Sequence, residues 1–263
     1  MKEQDILQTI VAHKRIEIKQ QEEVVSMTQL ENLLEDLAPC VSMKQRLAAS
    51  PTGIIAEFKR RSPSKDWINR EADAALIPPA YEQAGASALS ILTDERFFGG
   101  TLKDIRTARP RTSLPILRKD FTVSRYQLCQ AKVTGSDAVL LIASVLSAEE
   151  CRTLARQAHE LQLEVLLELH DEAELGHVNE FVDMVGVNNR HLGTFRTDVE
   201  TSFRLADRLP KDFLLVSESG ISQPETVRQL REAGFRGFLM GEAFMKTADP
   251  AATLSGFIKA LQP

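Results

Sequence analysis

The sequence has few cysteines, and none of them is placed to form a recognisable pair. Cys40, Cys129 and Cys151 are odd in number, and no two of them form a C-x-x-C motif. This pattern argues against a disulfide framework and against a zinc ribbon. We interpret all three as small apolar side chains that remain reduced, as thiols do in the cytosol.

Long apolar runs, an apolar leader and an excess of basic residues are missing as well. No apolar run approaches the roughly 18 residues that span a bilayer, and the amino-terminal segment carries charges throughout. The formal net charge is −5, whereas nucleic-acid binding needs a concentrated basic face. We expect a cytoplasmic protein, monomeric, that binds neither membranes nor nucleic acid.

From residue 53 onward, short apolar runs alternate with segments of helical spacing. Such runs are typical of strands covered on both faces, and the alternation indicates parallel strands joined by helices. Eight runs are present: Ile54–Lys59, Ala88–Thr93, Pro115–Lys119, Ala138–Ile142, Val165–Leu169, Met184–Asn188, Leu214–Ser217 and Gly237–Met240. Eight βα units predict an α/β fold of the (β/α)8 TIM-barrel type rather than an open sheet.

Helix signals fit the same pattern. Ser124, Ser147 and Ser222 each stand three residues before a Glu or Gln, which predicts three capping boxes. Gly234 is placed to end the last of these helices, whereas Pro78 and its neighbouring proline predict a late or kinked second helix. Residues 3–48 are predicted to form an amphipathic helical extension, as a lid or a bottom cap. Residues 53–262 form the barrel, and residues 1–263 form a single domain.

Charged and amide side chains interrupt the apolar runs where the predicted strands end. Glu57 and Lys59 lie two residues apart on strand 1, so both point into the barrel mouth. Similar residues end four other strands: Lys119, Asp120, Glu168, Asn188, Asn189, Arg190 and Glu218. Because barrel active sites lie at these strand ends, the cluster predicts an acid–base site with a proton donor and an acceptor.

Two further features concern anions and metals. Ser219, Gly220 and Gly241 follow strands 7 and 8, where barrels commonly bind phosphate through loop amides. The five histidines lack H-x-H or H-x-x-E-H spacing, so we expect no metal site. We interpret His170 and His191, which follow strands 5 and 6, as surface-loop residues.

Several segments resemble the indole-3-glycerol phosphate synthase family. IIAEFKRRSPSK at residues 54–65 carries the family signature. Further segments match it in order: SILTDERFFGG (90–100), LRKDF (117–121), LLEL (166–169), GVNNRHL (186–192), SESGI (217–221) and FLMGEAFM (238–245). The likeness covers the chain from about residue 50 to its end, and the helical extension is also similar to the family's.

The resemblance implies a reaction and a substrate. The family converts 1-(2-carboxyphenylamino)-1-deoxyribulose 5-phosphate to indole-3-glycerol phosphate in tryptophan biosynthesis, by ring closure, decarboxylation and dehydration. It implies no cofactor, because acid–base chemistry and orientation are sufficient. A small phosphorylated molecule is therefore the expected partner.

The resemblance also implies roles for individual residues. Lys119 becomes the candidate general acid, and Glu168 becomes the base for dehydration. Lys59 contacts the substrate and Glu57 balances the charge of the lysines, while the assignment of each proton transfer to one lysine stays open. The remaining positions bind the substrate or its phosphate: Asn188, Arg190, Glu218 and Ser62 for the substrate, and Ser219, Gly220 and Gly241 for the phosphate.

Two positions depart from the family's pattern, and two other readings stay open. Asp66 stands where the family usually has glycine, and His191 stands where it usually has aspartate. We hypothesise that Asp66 has a modest effect on turnover through loop motion. One alternative is another phosphate-binding barrel enzyme such as phosphoribosylanthranilate isomerase. That chemistry uses a cysteine as general base at the end of strand 1, where this chain has Glu57. The other is a non-catalytic phosphate-binding barrel, which the joint presence of Lys119 and Glu168 disfavours.

Overall fold

The computed structural model describes residues 6–35, 37–191 and 196–261. Residues 3–5 of the predicted extension, residue 262 of the predicted barrel and residue 192 of the GVNNRHL segment lie outside these ranges.

Eight parallel strands close into one barrel. Each strand pairs with the next along the chain, and the first pairs with the last. The strands are β1 (Ile54–Phe58), β2 (Ala88–Leu92), β3 (Ile116–Lys119), β4 (Ala138–Ile142), β5 (Glu164–Leu169), β6 (Met184–Asn188), β7 (Leu214–Glu218) and β8 (Gly237–Met240). The predicted TIM barrel is confirmed, and each predicted strand end lies within one residue of the observed one.

Helices surround the barrel and precede it. They are α1 (Ile6–Val24), α2 (Met27–Asn32), α3 (Met43–Ala49), α4 (Ile77–Gln83), α5 (Glu95–Phe98), α6 (Leu102–Ala108), α7 (Arg125–Thr134), α8 (Ala148–Glu160), α9 (Glu200–Ala206), α10 (Pro224–Glu232), α11 (Glu242–Met245) and α12 (Pro250–Leu261). Short 3-10 turns cover Arg109–Arg111 and Glu172–His177. Among the described residues, no helix is long and apolar enough to span a membrane.

Only one of the three predicted capping boxes forms. Ser147 and Glu150 satisfy each other's backbone amides at the start of α8. Ser124 begins α7 without accepting a hydrogen bond, because the Gln127 side chain accepts the amide of Val123 instead. The box predicted at Ser222 was also wrong, since α10 begins two residues later, at Pro224.

Other local predictions hold. Gly234 lies just beyond the end of α10 with φ of +107°, a left-handed conformation that glycine adopts without steric cost. Helix α4 has proline in its first turn, where the missing amide leaves no helical bond unmade. Cys129 and Cys151 are buried, Cys40 is half-buried, and all three are free thiols.

The barrel interior is apolar at its amino-terminal end and polar at its mouth. Alternate strand residues such as Ile55, Leu117 and Leu166 point inward and form one buried cluster. Met43 and Leu47 of α3 are fully buried in that cluster at the amino-terminal end. Leu7 and Ile10 of α1 belong to it as well and line the cavity at the opposite end. The extension thus supplies both a bottom cap and a lid.

Candidate active site

A cavity of about 600 Å³ opens at the carboxyl ends of the strands. Side chains from the end of every barrel strand line it, and Ile6, Leu7 and Ile10 of α1 cover one side. The structure brings to this one cavity every residue that was assigned a role: Glu57, Lys59, Ser62, Lys119, Glu168, Asn188, Arg190, Glu218, Ser219, Gly220 and Gly241. The barrel geometry places them there because parallel strands end at the same rim. Asn189 of the predicted cluster is not among the lining residues, and its side chain bonds Ser217 and Ser202 instead.

Two lysine–carboxylate pairs lie on the cavity floor. Lys59 Nζ lies 2.6 Å from Glu57 Oε1 at the end of β1. Lys119 Nζ lies 2.9 Å from Glu168 Oε2, which joins β3 to β5, and 3.6 Å from Glu218 Oε2 on β7. Glu57, Glu168 and Glu218 are each almost fully buried, so their charges act in a medium that screens them weakly.

Burial and neighbouring charge act against each other on these groups. Burial alone would lower the pKa of Lys119, but Glu168, Glu218 and Glu57 together hold it above its usual range. Burial would raise the pKa of Glu168, but Lys119 and His170 hold it well below its usual range. Burial raises the pKa of Glu218 and, together with the Glu168 and Glu57 carboxylates, outweighs the opposing effect of Lys119. The site therefore holds a charged acid, an ionised base and a carboxyl that resists ionisation.

Hydrogen bonds fix the orientation of Glu168. Asn188 Nδ2 donates to Glu168 Oε1 at 3.1 Å. The side-chain oxygen Oδ1 of Asn188 accepts the backbone N–H of Arg190 at 3.0 Å. The amide of Asn188 is thus held from both ends. His170 Nε2 lies 3.3 Å from the same Glu168 oxygen. One carboxylate oxygen faces Lys119 and the other faces these two groups.

Loops from three strands meet at the rim. The loop after β1 contains a short antiparallel pair, Arg61–Ser62 with Asp66–Trp67. Arg190 Nη1 donates to Ser64 Oγ in that loop at 2.7 Å, and Arg190 Nη2 lies 3.4 Å from Glu242 Oε2 beyond β8. The Ser62 hydroxyl is buried and has no hydrogen-bond partner among the described residues. It lines the cavity, so a ligand there can use it.

The turn after β7 has a backbone suited to an anion. Ser219 and Gly220 have φ of +68° and +75°, which turns the chain sharply after β7. Gly241 and Lys246 line the same cavity, and Lys246 adds a cation that the sequence reasoning did not single out. Its position after the short helix α11 was the available signal.

Gly241 also makes room for Glu57. A Cβ added at this position would lie 2.5 Å from Glu57 Oε1 and 2.9 Å from Glu57 Cβ. Gly186 on β6 leaves similar room for Glu218, whose Oε1 would lie 2.4 Å from an added Cβ. Close approach therefore explains these glycines, in addition to any role of Gly241 toward a phosphate.

The surface-loop interpretation of His170 was wrong. Its side chain is only 12% exposed and lies between Glu168 and Glu174. The signal was its place two residues after Glu168, which puts both side chains on the same side of the strand. The surface-loop interpretation of His191 is confirmed: the residue is exposed and lies outside the helices and strands, and its backbone amide bonds to the carbonyl of Arg196 across the loop. Among the described residues, no group of three or more metal-ligating side chains comes together.

A buried lysine of the extension was also missed. Lys14 of α1 is 1% exposed, and its Nζ lies 2.9 Å from Asp94 Oδ2 and 3.1 Å from Asp120 Oδ1. The sequence carried a signal, because Lys14 falls four residues after Ile10 and four before Ile18, on the apolar face of α1. This contact ties the extension to the strand end that carries Lys119.

Comparisons with known proteins agree with the geometry. The family model described as indole-3-glycerol phosphate synthase matches residues 7–257. The chain belongs to this family. It is 61% identical to the indole-3-glycerol phosphate synthase of Bacteroides thetaiotaomicron, over 98% of this chain and 99% of that protein. The family member from Polaromonas naphthalenivorans is 39% identical, over 95% of this chain and 97% of that protein.

Solved structures of other proteins share the barrel fold. Two mutant tryptophan synthase alpha-subunits from Pyrococcus furiosus superpose with TM-scores of 0.61 and 0.60, at 15% and 16% identity. Each comparison covers 80% of this chain and 97% of the other. At this identity the likeness concerns the barrel fold alone.

Proposed function

We propose that this chain catalyses the reaction for which its family is named. It converts 1-(2-carboxyphenylamino)-1-deoxyribulose 5-phosphate to indole-3-glycerol phosphate, with release of CO2 and water. The observation that carries this proposal is the contact between Lys119 and Glu168 on a cavity floor, 2.9 Å apart. Nothing favours an isomerase or a non-catalytic binding barrel.

Ring closure requires an acid at the substrate ketone. As the aromatic carbon attacks the ketone carbon, negative charge grows on the ketone oxygen, which must be stabilised and protonated. Lys119 supplies the ammonium, and the surrounding carboxylates keep it charged at neutral pH. Loss of CO2 then restores the aromatic ring and needs no further catalytic group.

Dehydration requires a base and an acid on the same intermediate. Glu168 stays ionised beside Lys119 and takes the proton. Lys59 protonates the departing hydroxyl, and Glu57, 2.6 Å away, holds that ammonium in place. Asn188 orients the base, while Arg190, Glu218 and Ser62 contact and orient the substrate.

The substrate phosphate binds at the end of the cavity formed by Ser219, Gly220 and Gly241. Lys246 supports this placement by adding a positive charge to the same cavity. The turn at Ser219 and Gly220 aims backbone toward the cavity, where amides can approach an anion. No cofactor takes part in this mechanism, because each step is the formation of a carbon–carbon bond, a bond cleavage or a proton transfer that the side chains support.

Substitution of Lys119 tests the proposal directly. We expect Lys119→Ala to lower kcat by about 100-fold or more, the usual contribution of a general acid. Lys103→Ala is the matched control, because Lys103 is exposed on α6 far from the cavity. Product is followed by the fluorescence of the indole ring. Wild-type turnover in Lys119→Ala, or isomerisation of phosphoribosylanthranilate by the wild type, would contradict the proposal.

We also propose that the chain works as a single-domain monomer in the cytoplasm. The three free thiols support a reducing compartment. The extension supports one domain, because α1 and α3 pack into the same apolar cluster as the strands. Light scattering coupled to gel filtration is expected to give the mass of one chain, and a mass of two chains would overturn the monomer.

A further inference from the structure

His170 is held between two carboxylates at the end of β5. Its Nε2 lies 3.3 Å from Glu168 Oε1, and its Nδ1 lies 3.5 Å from Glu174 Oε2. The backbone amide of His170 also donates to Glu174 Oε2, at 2.6 Å. The 3-10 turn that carries Glu174 therefore fixes both the ring and the chain at this position.

The imidazole contacts Glu168 without lining the cavity. Glu168 is among the residues that line the cavity, whereas His170 is not, and its Nε2 lies against the Glu168 carboxylate. His170 thus reaches the substrate only through Glu168. The two oxygens of Glu168 divide their partners, since Oε2 faces Lys119 and Oε1 faces Asn188 and His170.

The charges around His170 favour the imidazolium. Glu168 and Glu174 face its two nitrogens, Glu218 lies beyond Glu168, and Lys119 is the opposing cation on β3. His177, on the same turn as Glu174, directs its ring nitrogens to the backbone carbonyls of Glu174 and Leu146. Burial would lower the pKa of His170, but Glu168 and Glu174 raise it to about 10. The ring is therefore cationic at neutral pH.

We propose that His170 is a positioning residue that holds Glu168 toward Lys119 and places a second cation beside its carboxylate. Glu174 and His170 hold the Glu168 carboxylate in place, as Glu57 holds the Lys59 ammonium in place. A base with two cationic neighbours stays ionised to lower pH than a base with one. The inference rests on the proposed role of Glu168 in dehydration.

The test is the pH dependence of kcat in the full-length enzyme. His170→Gln keeps a donor near the Nε2 position and removes the charge. Without the cation the pKa of Glu168 rises, and a base loses activity as pH falls through its pKa. We expect the acidic limb of the kcat profile to move upward by about one pH unit or more.

His159→Gln is the matched control, because His159 on α8 contacts an aspartate that bonds the other end of β5. His159 Nε2 lies 2.8 Å from Asp183 Oδ2, which accepts the amide of Val165 at the opposite end of β5. We expect its acidic limb to coincide with that of the wild type. A merely structural effect on β5 would move neither profile and would lower the amount of active enzyme instead.

Glu168→Gln separates failure of this inference from failure of the proposed function. If Glu168→Gln is inactive while the acidic limb of His170→Gln stays in place, the role of His170 is overturned and the base assignment stands. If Glu168→Gln turns over at the wild-type rate, Glu168 is not the base and both are overturned.

Imidazole ¹⁵N chemical shifts of the wild type provide a readout independent of turnover and of variant folding. We expect His170 to remain an imidazolium at pH 8 and to become easier to deprotonate in Glu174→Gln. A neutral His170 ring at pH 7 in the wild type would overturn the inference.

Discussion

At the scale of single residues, three carboxylates and two lysines share one cavity floor, and neighbouring charges shift the pKa values of Lys119, Glu168 and Glu218. Glu218 is the least favoured charge, since burial, Glu168 and Glu57 all raise its pKa. Its oxygens have no hydrogen-bond partner among the described residues, and Lys119 lies 3.6 Å away. Such an arrangement favours chemistry over stability.

Glu218→Gln is expected to stabilise the protein at alkaline pH. A carboxyl whose pKa is raised by folding contributes stability below its ordinary pKa, and this contribution is lost as pH rises through the raised value. At pH 9 the wild type carries the Glu218 charge, whereas glutamine does not. Thermal unfolding should therefore show a higher Tm for the variant at pH 9 and little difference at pH 5. An equal change in Tm at both pH values would contradict this explanation.

Gly241→Ala tests the space that Glu57 needs. The φ of Gly241 is −127°, which alanine tolerates, so the obstacle is the contact of the added Cβ with the Glu57 side chain. Displacing Glu57 disturbs Lys59, and we expect kcat to fall at least about tenfold. Gly256→Ala on α12 is the control, because its added Cβ meets nothing within 4 Å.

The kinetic constants separate the two roles of Gly241. A rise in KM with unchanged kcat would show that the glycine serves the phosphate alone, and it would contradict the steric account.

At this scale the sequence predicted the charged residues but not their partners. Lys119 and Glu168 were identifiable because each interrupts an apolar run at a strand end. The inward position of His170 depends on the turn that brings Glu174 back over it, and no local motif encodes that return. Lys14 depends on which rim of the barrel α1 covers, which is a property of the tertiary packing.

At the scale of elements, α1 acts as a lid that is attached by charge as well as by apolar contacts. Lys14 binds Asp94, which caps α5, and Asp120, which follows Lys119, the proposed general acid. Arg118 lies 2.9 Å from Asp120 on its other side. Burial would raise the pKa of Asp120, but Lys14 and Arg118 hold it below its usual range. The buried network therefore joins α1 to the carboxyl end of β3.

Lys14→Met is expected to destabilise the protein by about 3 kcal/mol, because it leaves the buried Asp94 without its cation and Asp120 with Arg118 alone. Urea unfolding at neutral pH measures the loss, with Lys19→Met on the exposed face of α1 as the control. The contribution of Asp120 is present above its ordinary pKa and is lost as pH falls through its lowered folded value. The difference between variant and wild type should therefore shrink in acid. A difference that grows in acid would contradict the network.

The loop after β1 contains the departure at Asp66. This residue has φ of +56°, the left-handed region that glycine adopts more readily, and its carboxylate lies 2.7 Å from Arg61 Nε. Arg61 also donates to the carbonyl of Arg96 at 3.0 Å, which joins the loop to α5. The Asp66–Arg61 pair therefore links the loop after β1 to helix α5.

Asp66→Gly is expected to change kcat by roughly threefold and to alter its dependence on solvent viscosity, as a loop-gated step would. Asp66→Asn tolerates the left-handed backbone and removes only the charge, so it separates the ion pair from the backbone effect. If both variants leave kcat, KM and viscosity dependence unchanged, the hypothesis of loop motion is wrong.

Helix starts show the limit of local motifs. The Ser147 box forms because Glu150 has no other partner near the amide, whereas Gln127 bonds Val123 and Phe121 instead. Pro224 moves the start of α10 beyond Ser222, because proline fits the first helical turn. The strands were predicted more closely, since burial on both faces makes their runs apolar from end to end.

At the scale of the whole molecule, closure of the barrel turns a periodic sequence into a single site. Eight strand ends spread over residues 58–240 meet at one rim, and α1 from residue 6 onward covers it. The eightfold alternation predicted the barrel and the rim. The two-sided role of the extension was not predicted, because its apolar residues do not specify which end of the barrel each helix covers.

The most direct test of the central claim follows both products of the wild-type enzyme at once. Purified protein is incubated with 1-(2-carboxyphenylamino)-1-deoxyribulose 5-phosphate, and CO2 release is measured together with indole-3-glycerol phosphate. We predict equal amounts of the two products, formed at a rate that the Lys119→Ala variant loses. A folded wild type that forms no indole product, or CO2 release without ring closure, would contradict the account.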